Sequence, residues 1–278
     1  MRKDGRRVKN AEPMYQVASY IMKHRYDAMN MIEINIPVEE MEKYLNRKRK
    51  EGYRMSHLGV VIAAYLRTMT EFPQLNRFVV NKRIYARNDF SVAMVVLKPG
   101  ETDGTMSKVH FDFTDTIYQV HEKMDVYVNK NREAGDTNST DDIIRKLLKV
   151  PGLVGIGVGL FKFMDKFGLL PRSIIEASPF HNSLVVTNLA SIRTNHIFHH
   201  VYEFGTSSVF IAMGNMREVP KKVKGEIVFE HCMPMGIVMD ERICSGSYFA
   251  RVFTVFKKYM THPELLELPP ESVKEDDE

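Results

Sequence analysis

Two periods of apolar residues run along the chain, and each predicts a different kind of element. A period of two covers residues 30–36, where Ile32, Ile34 and Ile36 alternate with polar side chains until Pro37 ends the run. This alternation predicts a strand with one buried face. A similar alternation predicts a further strand at residues 109–113.

The helical period of 3.6 residues appears between these strands. Residues 38–51 carry Met41, Tyr44 and Leu45 among charged side chains, a pattern typical of an amphipathic surface helix. Residues 58–69 are nearly all apolar and follow Ser56, which predicts a buried helix with a serine N-cap. Shorter or more polar helical patterns occupy residues 14–22 and 115–132.

The C-terminal part predicts strand, tight loop and helix in succession. Apolar runs at residues 227–229 and 235–239 are typical of buried strands, and residues 240–246 then concentrate polar side chains. Ser245 is placed to cap a helix with apolar residues at helical spacing, which Pro263 ends. A polar loop between a strand and a helix N-terminus is a frequent place for a functional site.

Residues 151–170 form a separate apolar run rich in glycine, and three hypotheses fit it. The first is a core helix or hairpin whose glycines allow close packing. The second is an apolar lid or tunnel wall for an acyl or aromatic group. The third is a membrane anchor, although Lys162, Asp165 and Lys166 interrupt the run and it is too short to span a bilayer.

Composition narrows the classes of protein that fit these elements. The chain has 278 residues, of which 44% are hydrophobic, and we expect one domain over residues 1–278. Its basic residues 1–13 and acidic residues 268–278 are predicted to be flexible ends. The formal net charge of +4 is too small to indicate a nucleic-acid partner.

Cysteine use and apolar run length bear on compartment and cofactors. Two cysteines, Cys232 and Cys244, and no signal peptide predict a reduced, cytoplasmic protein without a disulfide. The sequence contains no Cys/His spacing of metal-ligand type and no glycine pattern for a nucleotide, so no metal is expected. Its apolar runs are too short to predict a membrane span.

The loop at residues 240–246, DERICSG, resembles the C-terminal signature of the chloramphenicol acetyltransferase and dihydrolipoamide acyltransferase superfamily. That signature is D-H-R-x-x-D-G or H-H-x-x-x-D-G, followed by a helix and an end similar to NPELL. Asp240, Arg242 and Gly246 match it. Glu241 stands where the family has its catalytic histidine, and Ser245 stands where it has a structural aspartate.

A second stretch, EFPQLNRFVVNKRIYARNDFSVAMVV from Glu71, is similar to a helix end, a P-x-L-N turn and a hairpin of the same superfamily. The two matches occur in the family's order along the chain. The resemblance implies an α/β (α+β) two-layer sandwich, in which a mixed central sheet carries helices on one face. The predicted elements agree with this class, although they do not select a topology by themselves.

Residues 180–214 resemble the family's central strands, and the resemblance places Thr187 at the serine or threonine whose hydroxyl stabilises the oxyanion of the tetrahedral intermediate. A threonine is also simply a good strand residue. His196, His199 and His200 follow closely, and histidine exchanges protons near neutral pH. Structural histidines bonded to backbone are the alternative interpretation for these residues.

The resemblance implies transfer of an acyl group from a coenzyme A thioester to a hydroxyl, amine or thiol acceptor, within a homotrimer whose sites lie between subunits. No covalently bound lipoyl group is expected, because the catalytic histidine and a lipoyl-carrying linker are missing. The alternative is a degenerate pseudoenzyme that keeps the fold and trimer as a ligand-binding or scaffold protein. The acyl group's chain length and the acceptor are not predicted.

A base must replace the missing histidine if the chain is active. Glu241 fits only if burial raises its pKa, and otherwise it could orient a histidine. His199 and His200 are the candidate bases, and we favour His200 because Tyr202 and Glu203 follow it. Cys244 could act as a nucleophile, but nothing near it in sequence activates the thiol, and a buried core role fits better.

Overall fold

The computed structural model describes residues 2–97, 104–133, 149 and 152–276. Seven α-helices are described, namely α1 Pro13–Ile21, α2 Glu39–Lys50, α3 His57–Glu71, α4 Ile117–Glu133, α5 Leu153–Lys166, α6 Arg172–Ala177 and α7 Gly246–Thr261. The described strands are β1 Gly5–Arg7, β2 Met29–Pro37, β3 Arg77–Val80, β4 Arg83–Arg87, β5 Phe90–Leu97, β6 Gly104–Phe111, β7 Leu184–Asn188, β8 Val209–Met213, β9 Arg217–Val223 and β10 Glu226–Asp240.

The strands form two sheets. The larger one has seven strands in the order β2-β10-β8-β7-β5-β6, with β9 paired to the outer half of β10. It is mixed, because β7 runs parallel to β5 and β8 while the other neighbours are antiparallel. The smaller sheet has the order β1-β4-β3. The predicted α/β class with a mixed central sheet is confirmed.

The principal core lies between one face of the large sheet and helices α2, α3, α4 and α7. Alternation along the strands supplies it with Val186, Ile211 and Met235, and the buried helix α3 packs against them. Ser56 caps α3 as predicted, since its Oγ accepts a hydrogen bond from the Gly59 N–H at 3.1 Å. The opposite sheet face carries a small second cluster, which positions the candidate site.

Parts of both chain ends, which the sequence predicts to be flexible, contact the rest of the described molecule. Residues Gly5–Arg7 pair with β4, and the buried Arg2 guanidinium bonds to Asp4 at 2.9 Å and to Asp165 at 2.7 Å. Near the other end, the buried Asp276 carboxylate accepts two hydrogen bonds of 2.6 Å from Arg77. Arg2, Asp4 and Asp276 are therefore paired with opposite charges inside the molecule, while most other charged residues of the two ends are exposed.

Helix α5 differs from the core element that was the first hypothesis for residues 151–170. Ile156, Leu160 and Phe163 are all more than half exposed, at 71%, 57% and 56%. A Cβ added to Gly155 or Gly159 would meet no atom of the described residues within 4 Å, so these glycines do not serve close packing against the described part of the chain. Among the described helices none is long and apolar enough to cross a membrane. The lid hypothesis remains a prediction.

Two further predictions in this region have different outcomes. Residues 227–229 and 235–239 belong to a single strand, β10, and its outer part is exposed rather than buried, with Ile227 at 71% and Phe229 at 68%. Strand β8 pairs only with residues 235–239 of β10. Among the described strands, β9 pairs with the outer part of β10, residues 226–232. The sequence also predicts a polar loop at residues 134–139, followed by a segment at residues 143–150; both lie outside the described residues, apart from residue 149.

Candidate functional site

The loop after β10 is held by a buried ion pair between Asp240 and Arg242. The Arg242 Nε and one terminal nitrogen donate to the two oxygens of Asp240 at 2.8 and 2.7 Å, and the Arg242 backbone N–H adds a third bond at 3.1 Å. Burial opposes the charge of Arg242, but the hydrogen bond and charge of Asp240 raise its pKa overall. This pair fixes the shape of the loop. Both oxygens of Asp240 and two nitrogens of the Arg242 guanidinium are occupied by these hydrogen bonds.

Replacing Asp240 with asparagine should destabilise the protein, because it leaves the Arg242 guanidinium buried beside a neutral amide. Breaking a buried pair from one side typically costs about 3–5 kcal/mol in the free energy of unfolding. Urea denaturation measures this change. Glu241→Gln is the matched control: it makes the same chemical change one residue away on an exposed side chain, and should stay within about 0.5 kcal/mol of the wild type. Equal effects of the two variants would contradict the structural role given to Asp240.

Glu241 itself projects from the loop. Its backbone N–H donates to the Ala28 carbonyl at 2.8 Å, while its side chain is exposed. Within the described residues its carboxylate forms no hydrogen bond or ion pair, so no histidine of the same chain contacts it. The burial on which a role of Glu241 as a base depends is not present in the described chain.

The remaining loop residues support the start of α7. Ser245 Oγ accepts a hydrogen bond from the Tyr248 N–H at 3.0 Å, which is the N-cap predicted from sequence, and the helix begins at Gly246. Cys244 is fully buried, and this burial raises the pKa of its thiol far above the ordinary value. A buried thiol with a raised pKa holds its proton at neutral pH, which argues against a nucleophile at this position.

The second face of the large sheet is covered by the segment that carries the histidines. Val185, Phe210 and Val238, from three adjacent strands, form a buried cluster there with Val201. Thr187 lies two residues after Val185 on β7, so alternation places its side chain on this same face. It is half-buried, and its hydroxyl has no hydrogen-bond partner among the described residues.

His199 is held over this face in a defined orientation. Its ring stacks on Phe210 with centroids 5.4 Å apart and planes 17° from parallel, and Tyr202 meets its edge at 5.7 Å. Its Nδ1 lies 3.0 Å from the His200 carbonyl oxygen. Because a carbonyl oxygen can only accept, Nδ1 must carry the proton, so in the neutral ring Nε2 keeps its lone pair. In the described part of the chain Nε2 has no partner.

His200, which the sequence favoured, has a different environment. It is exposed and contacts Tyr202 at 5.0 Å between ring centroids. The reason for favouring it was Glu203, but the Glu203 carboxylate accepts a 2.9 Å hydrogen bond from the Arg25 N–H and faces His24 at 3.4 Å. Geometry therefore favours His199 over His200 as a candidate base.

His196 is the residue that sequence analysis undervalued. Its Nε2 lies 3.3 Å from the Glu33 carboxylate, its side chain is 10% exposed, and its Nδ1 is buried without a hydrogen-bond partner among the described atoms. The backbone here crosses directly over β10, where a Cβ on Gly236 would come within 2.3 Å of the Ile197 carbonyl oxygen. A glycine inside a predicted strand signals such a close approach and could have located this crossing.

Sheet register gives the spacing of the candidate residues. Thr187 pairs with Ala212 and Phe210 pairs with Val185, so Thr187 lies two residues along the sheet from the level of His199 and Phe210, roughly 7 Å. Glu241 lies in the opposite direction, three residues beyond Val238, which is the partner of Phe210. The level of Thr187 and that of Glu241 are thus five residues apart, roughly 16 Å, so the two side chains do not share a site within one chain.

One group of metal-ligand type lies elsewhere, at the edge of the large sheet. His110 Nδ1 lies 3.0 Å from Asp89 and its Nε2 lies 3.1 Å from Glu176, and all three side chains are partly exposed. Both ring nitrogens already face a carboxylate at hydrogen-bond distance. These contacts account for the cluster without an ion.

Comparison with known proteins identifies the class to which this fold corresponds. The structure superposes on a dihydrolipoamide acetyltransferase from Azotobacter vinelandii with a TM-score of 0.60 and 11% identity, covering 92% of this chain and 88% of that one. Chloramphenicol acetyltransferase matches with a TM-score of 0.56 and 8% identity, over 92% and 99% of the two chains. The fold is that of the chloramphenicol acetyltransferase-like acyltransferases, as the resemblance implied.

The family is indicated by sequence as well. Residues 181–268 match the family model of the 2-oxoacid dehydrogenases acyltransferase (catalytic domain), a range that contains Thr187, His199 and Glu241. The cubic core of a pyruvate dehydrogenase multienzyme complex has the same fold, with a TM-score of 0.58, 10% identity and coverage of 92% and 88%. No curated protein matches the sequence. The resemblance predicted from the DERICSG loop is confirmed at the level of family model and fold.

Proposed function

We propose that this chain is an acyltransferase that moves an acyl group from a coenzyme A thioester to a small hydroxyl, amine or thiol acceptor. The donor in this proposal is the soluble thioester and not a lipoyl group carried by the chain. Two free, buried cysteines suit a reducing compartment, so we propose that it acts in the cytoplasm.

The observation that supports the proposal is that His199 and Thr187 lie on the same face of the large sheet, the second one. His199 offers an unpartnered Nε2 lone pair, fixed by the Nδ1 contact with the His200 carbonyl oxygen and by stacking on Phe210. Thr187, roughly 7 Å along the sheet, offers a hydroxyl without a partner in the described chain. A positioned base and a free donor on one surface are what thioester attack requires.

In the proposed reaction, His199 Nε2 removes the proton of the acceptor as the acceptor's heteroatom attacks the thioester carbonyl carbon. The Thr187 hydroxyl donates to the oxyanion that forms. The C–S bond then breaks, and the imidazolium returns its proton to the departing coenzyme A sulfur. The acylated acceptor and free coenzyme A are the products, and His199 ends neutral.

The Azotobacter vinelandii enzyme offers a parallel, because a serine, a histidine and an asparagine were investigated in its catalytic mechanism. We infer that Thr187 takes the part of a hydroxyl donor here, while an imidazole supplied by a different segment takes the part of the histidine. Glu241, Ser245 and Gly246 would then shape the loop rather than supply the base.

A homotrimer is the assembly we propose, with the Asp240–Gly246 loop of one chain facing the Thr187 segment of its neighbour. The separation of roughly 16 Å between the sheet levels of Thr187 and Glu241 supports this, since only a second chain could bring them to one site. Light scattering should give three times the 32.2 kDa chain mass. A monomer at all concentrations would remove the shared site from the proposal.

Free thiol release from acetyl-CoA and longer acyl-CoAs, measured with and without alcohol, amine and thiol acceptors, tests the activity. Acceptor-dependent release that saturates with acyl-CoA is the expected result. Release that does not depend on any acceptor would indicate thioester hydrolysis. Absence of free thiol release with every donor and acceptor would contradict acyl transfer. The chain would then be a protein that keeps the fold without this activity.

A further inference from the structure

A cavity of about 290 Å³ lies beside Arg242, and neither His199 nor Thr187 lines it. Its walls come from four separate parts of the chain. They are the segment after α1, the β3–β4 turn, the C-terminal half of α5 and the loop at residues 203–205. At this volume the cavity suits a small polar group rather than a large apolar ligand.

Lysines dominate the wall. Lys23, Lys82, Lys162 and Lys166 all line the cavity, and all four are exposed. Among the described residues none of their ammonium groups forms an ion pair. Lys82 Nζ lies 4.7 Å from the centroid of the Tyr20 ring, a contact that keeps the charge. Like charges gathered from distant parts of the sequence repel one another, so an anion would stabilise the arrangement.

Two carboxylates, Asp165 and Glu203, reach the cavity, and they are too few to balance the charges of the four lysines. Asp165 bonds to the Arg2 guanidinium at 2.7 Å and faces His181 at 3.4 Å. Glu203 accepts from the Arg25 N–H at 2.9 Å. The cavity therefore presents an excess of positive charge to a ligand.

The β3–β4 turn adds an independent observation. Asn81 and Lys82 are the two central residues of this hairpin loop, with φ of 49° and 60°. Loops of this geometry favour glycine at the second position, since a Cβ is strained at positive φ. Lys82 thus occupies a position at which glycine would relieve the backbone, and the turn places this lysine in the cavity wall.

We propose that this cavity binds a phosphate group, with Lys82 and the α5 lysines as its ligands. Ammonium groups on flexible stems act as point charges for phosphate oxygens. The phosphate site does not depend on the proposed acyl transfer, because its lining includes neither Thr187 nor His199.

Two sources could supply the phosphate. One is a soluble compound of nucleotide or pyrophosphate type. The other is the headgroup of an anionic lipid, because the lysines of α5 lie next to the exposed apolar side chains Leu160 and Phe163 of the same helix. The shared recognition chemistry is the phosphate, and the experiment separates the sources.

Lys82→Gly and Lys224→Gly form a matched pair of variants. Lys224 also lies at positive φ in a two-residue hairpin turn, with φ of 50°, but on the distant β9–β10 hairpin. Both changes remove one charge and relieve the same backbone strain, so neither should unfold the protein. Lys162→Gln on α5 provides a second, independent loss of charge in the cavity.

Calorimetric titration with inorganic pyrophosphate, and sedimentation with phosphatidylcholine vesicles with or without phosphatidic acid, are the measurements. Saturable pyrophosphate binding supports a soluble ligand, and binding only to vesicles with phosphatidic acid supports a lipid headgroup. In either case Lys82→Gly and Lys162→Gln should each weaken binding by about tenfold, and Lys224→Gly by less than about twofold. Absence of binding to both probes, or equal losses in Lys82→Gly and Lys224→Gly, would overturn the proposal.

Discussion

His199→Gln is expected to lower kcat for acyl transfer by a factor of about 10²–10⁴, the usual contribution of a positioned general base. Glutamine keeps a polar side chain of similar reach, but its amide cannot accept a proton at neutral pH. The fold should persist, because the ring's contacts with Phe210 and Tyr202 are made at the surface of a small cluster. Steady-state rates with saturating acyl-CoA measure the effect.

His200→Gln is the matched control, since it makes the same change on the adjacent residue. His200 is exposed and contributes its carbonyl oxygen, not its ring, to the His199 contact, so the variant should keep most of its activity. The opposite result, in which His200→Gln is inactive and His199→Gln is not, would show that assembly turns His200 into the site. Equal activity in both variants would remove histidine catalysis from the proposal.

His196 requires a separate variant because its imidazole is paired with Glu33 rather than free. His196→Gln could reduce activity by releasing the segment that crosses Gly236, which would make it a positioning residue. Such an effect should be partly shared by Gly236→Ala, whose Cβ would lie 2.3 Å from the Ile197 carbonyl oxygen and 3.0 Å from His196 Cδ2, and which therefore displaces the same segment without removing the imidazole. A loss confined to His196→Gln would point to the imidazole itself.

Much of the fold follows from the sequence because its signals are local. The period of two at residues 30–36 and the Ser56 and Ser245 caps specify β2, α3 and α7 through contacts within a few residues. The Asp240–Arg242 pair is local too, because its two residues lie two positions apart. The loop could therefore be predicted from its own sequence.

What sequence did not predict depends on partners distant along the chain. The burial of Arg2 requires Asp165, and the docking of Asp276 requires Arg77, neither of which a local pattern reveals. The same holds for α5, whose apolar residues indicate burial although several of them are exposed in the described part of the fold. For the candidate bases, the sequence placed three histidines in one segment, but only Phe210 and the His200 carbonyl oxygen distinguish His199.

Thr187→Val should reduce turnover by a factor of roughly 100–1,000, because it deletes one donor aimed at the developing oxyanion. Valine has nearly the same shape and favours strands at least as well, so β7 and its pairing with Ala212 should be unchanged. Since the hydroxyl has no other partner in the described chain, its removal leaves no polar group unsatisfied. Thermal unfolding should therefore differ little from the wild type.

The kinetic signature distinguishes this role from substrate binding. A donor that acts on the oxyanion works mainly in the transition state, so kcat and kcat/KM should fall together while KM stays nearly constant. Thr187→Ser keeps the hydroxyl on a smaller side chain and should restore most of the activity, which makes it the control for shape. If Thr187→Val retains full turnover, or if serine fails to rescue a loss, then Thr187 is a strand residue and the oxyanion must be stabilised by another donor on this face.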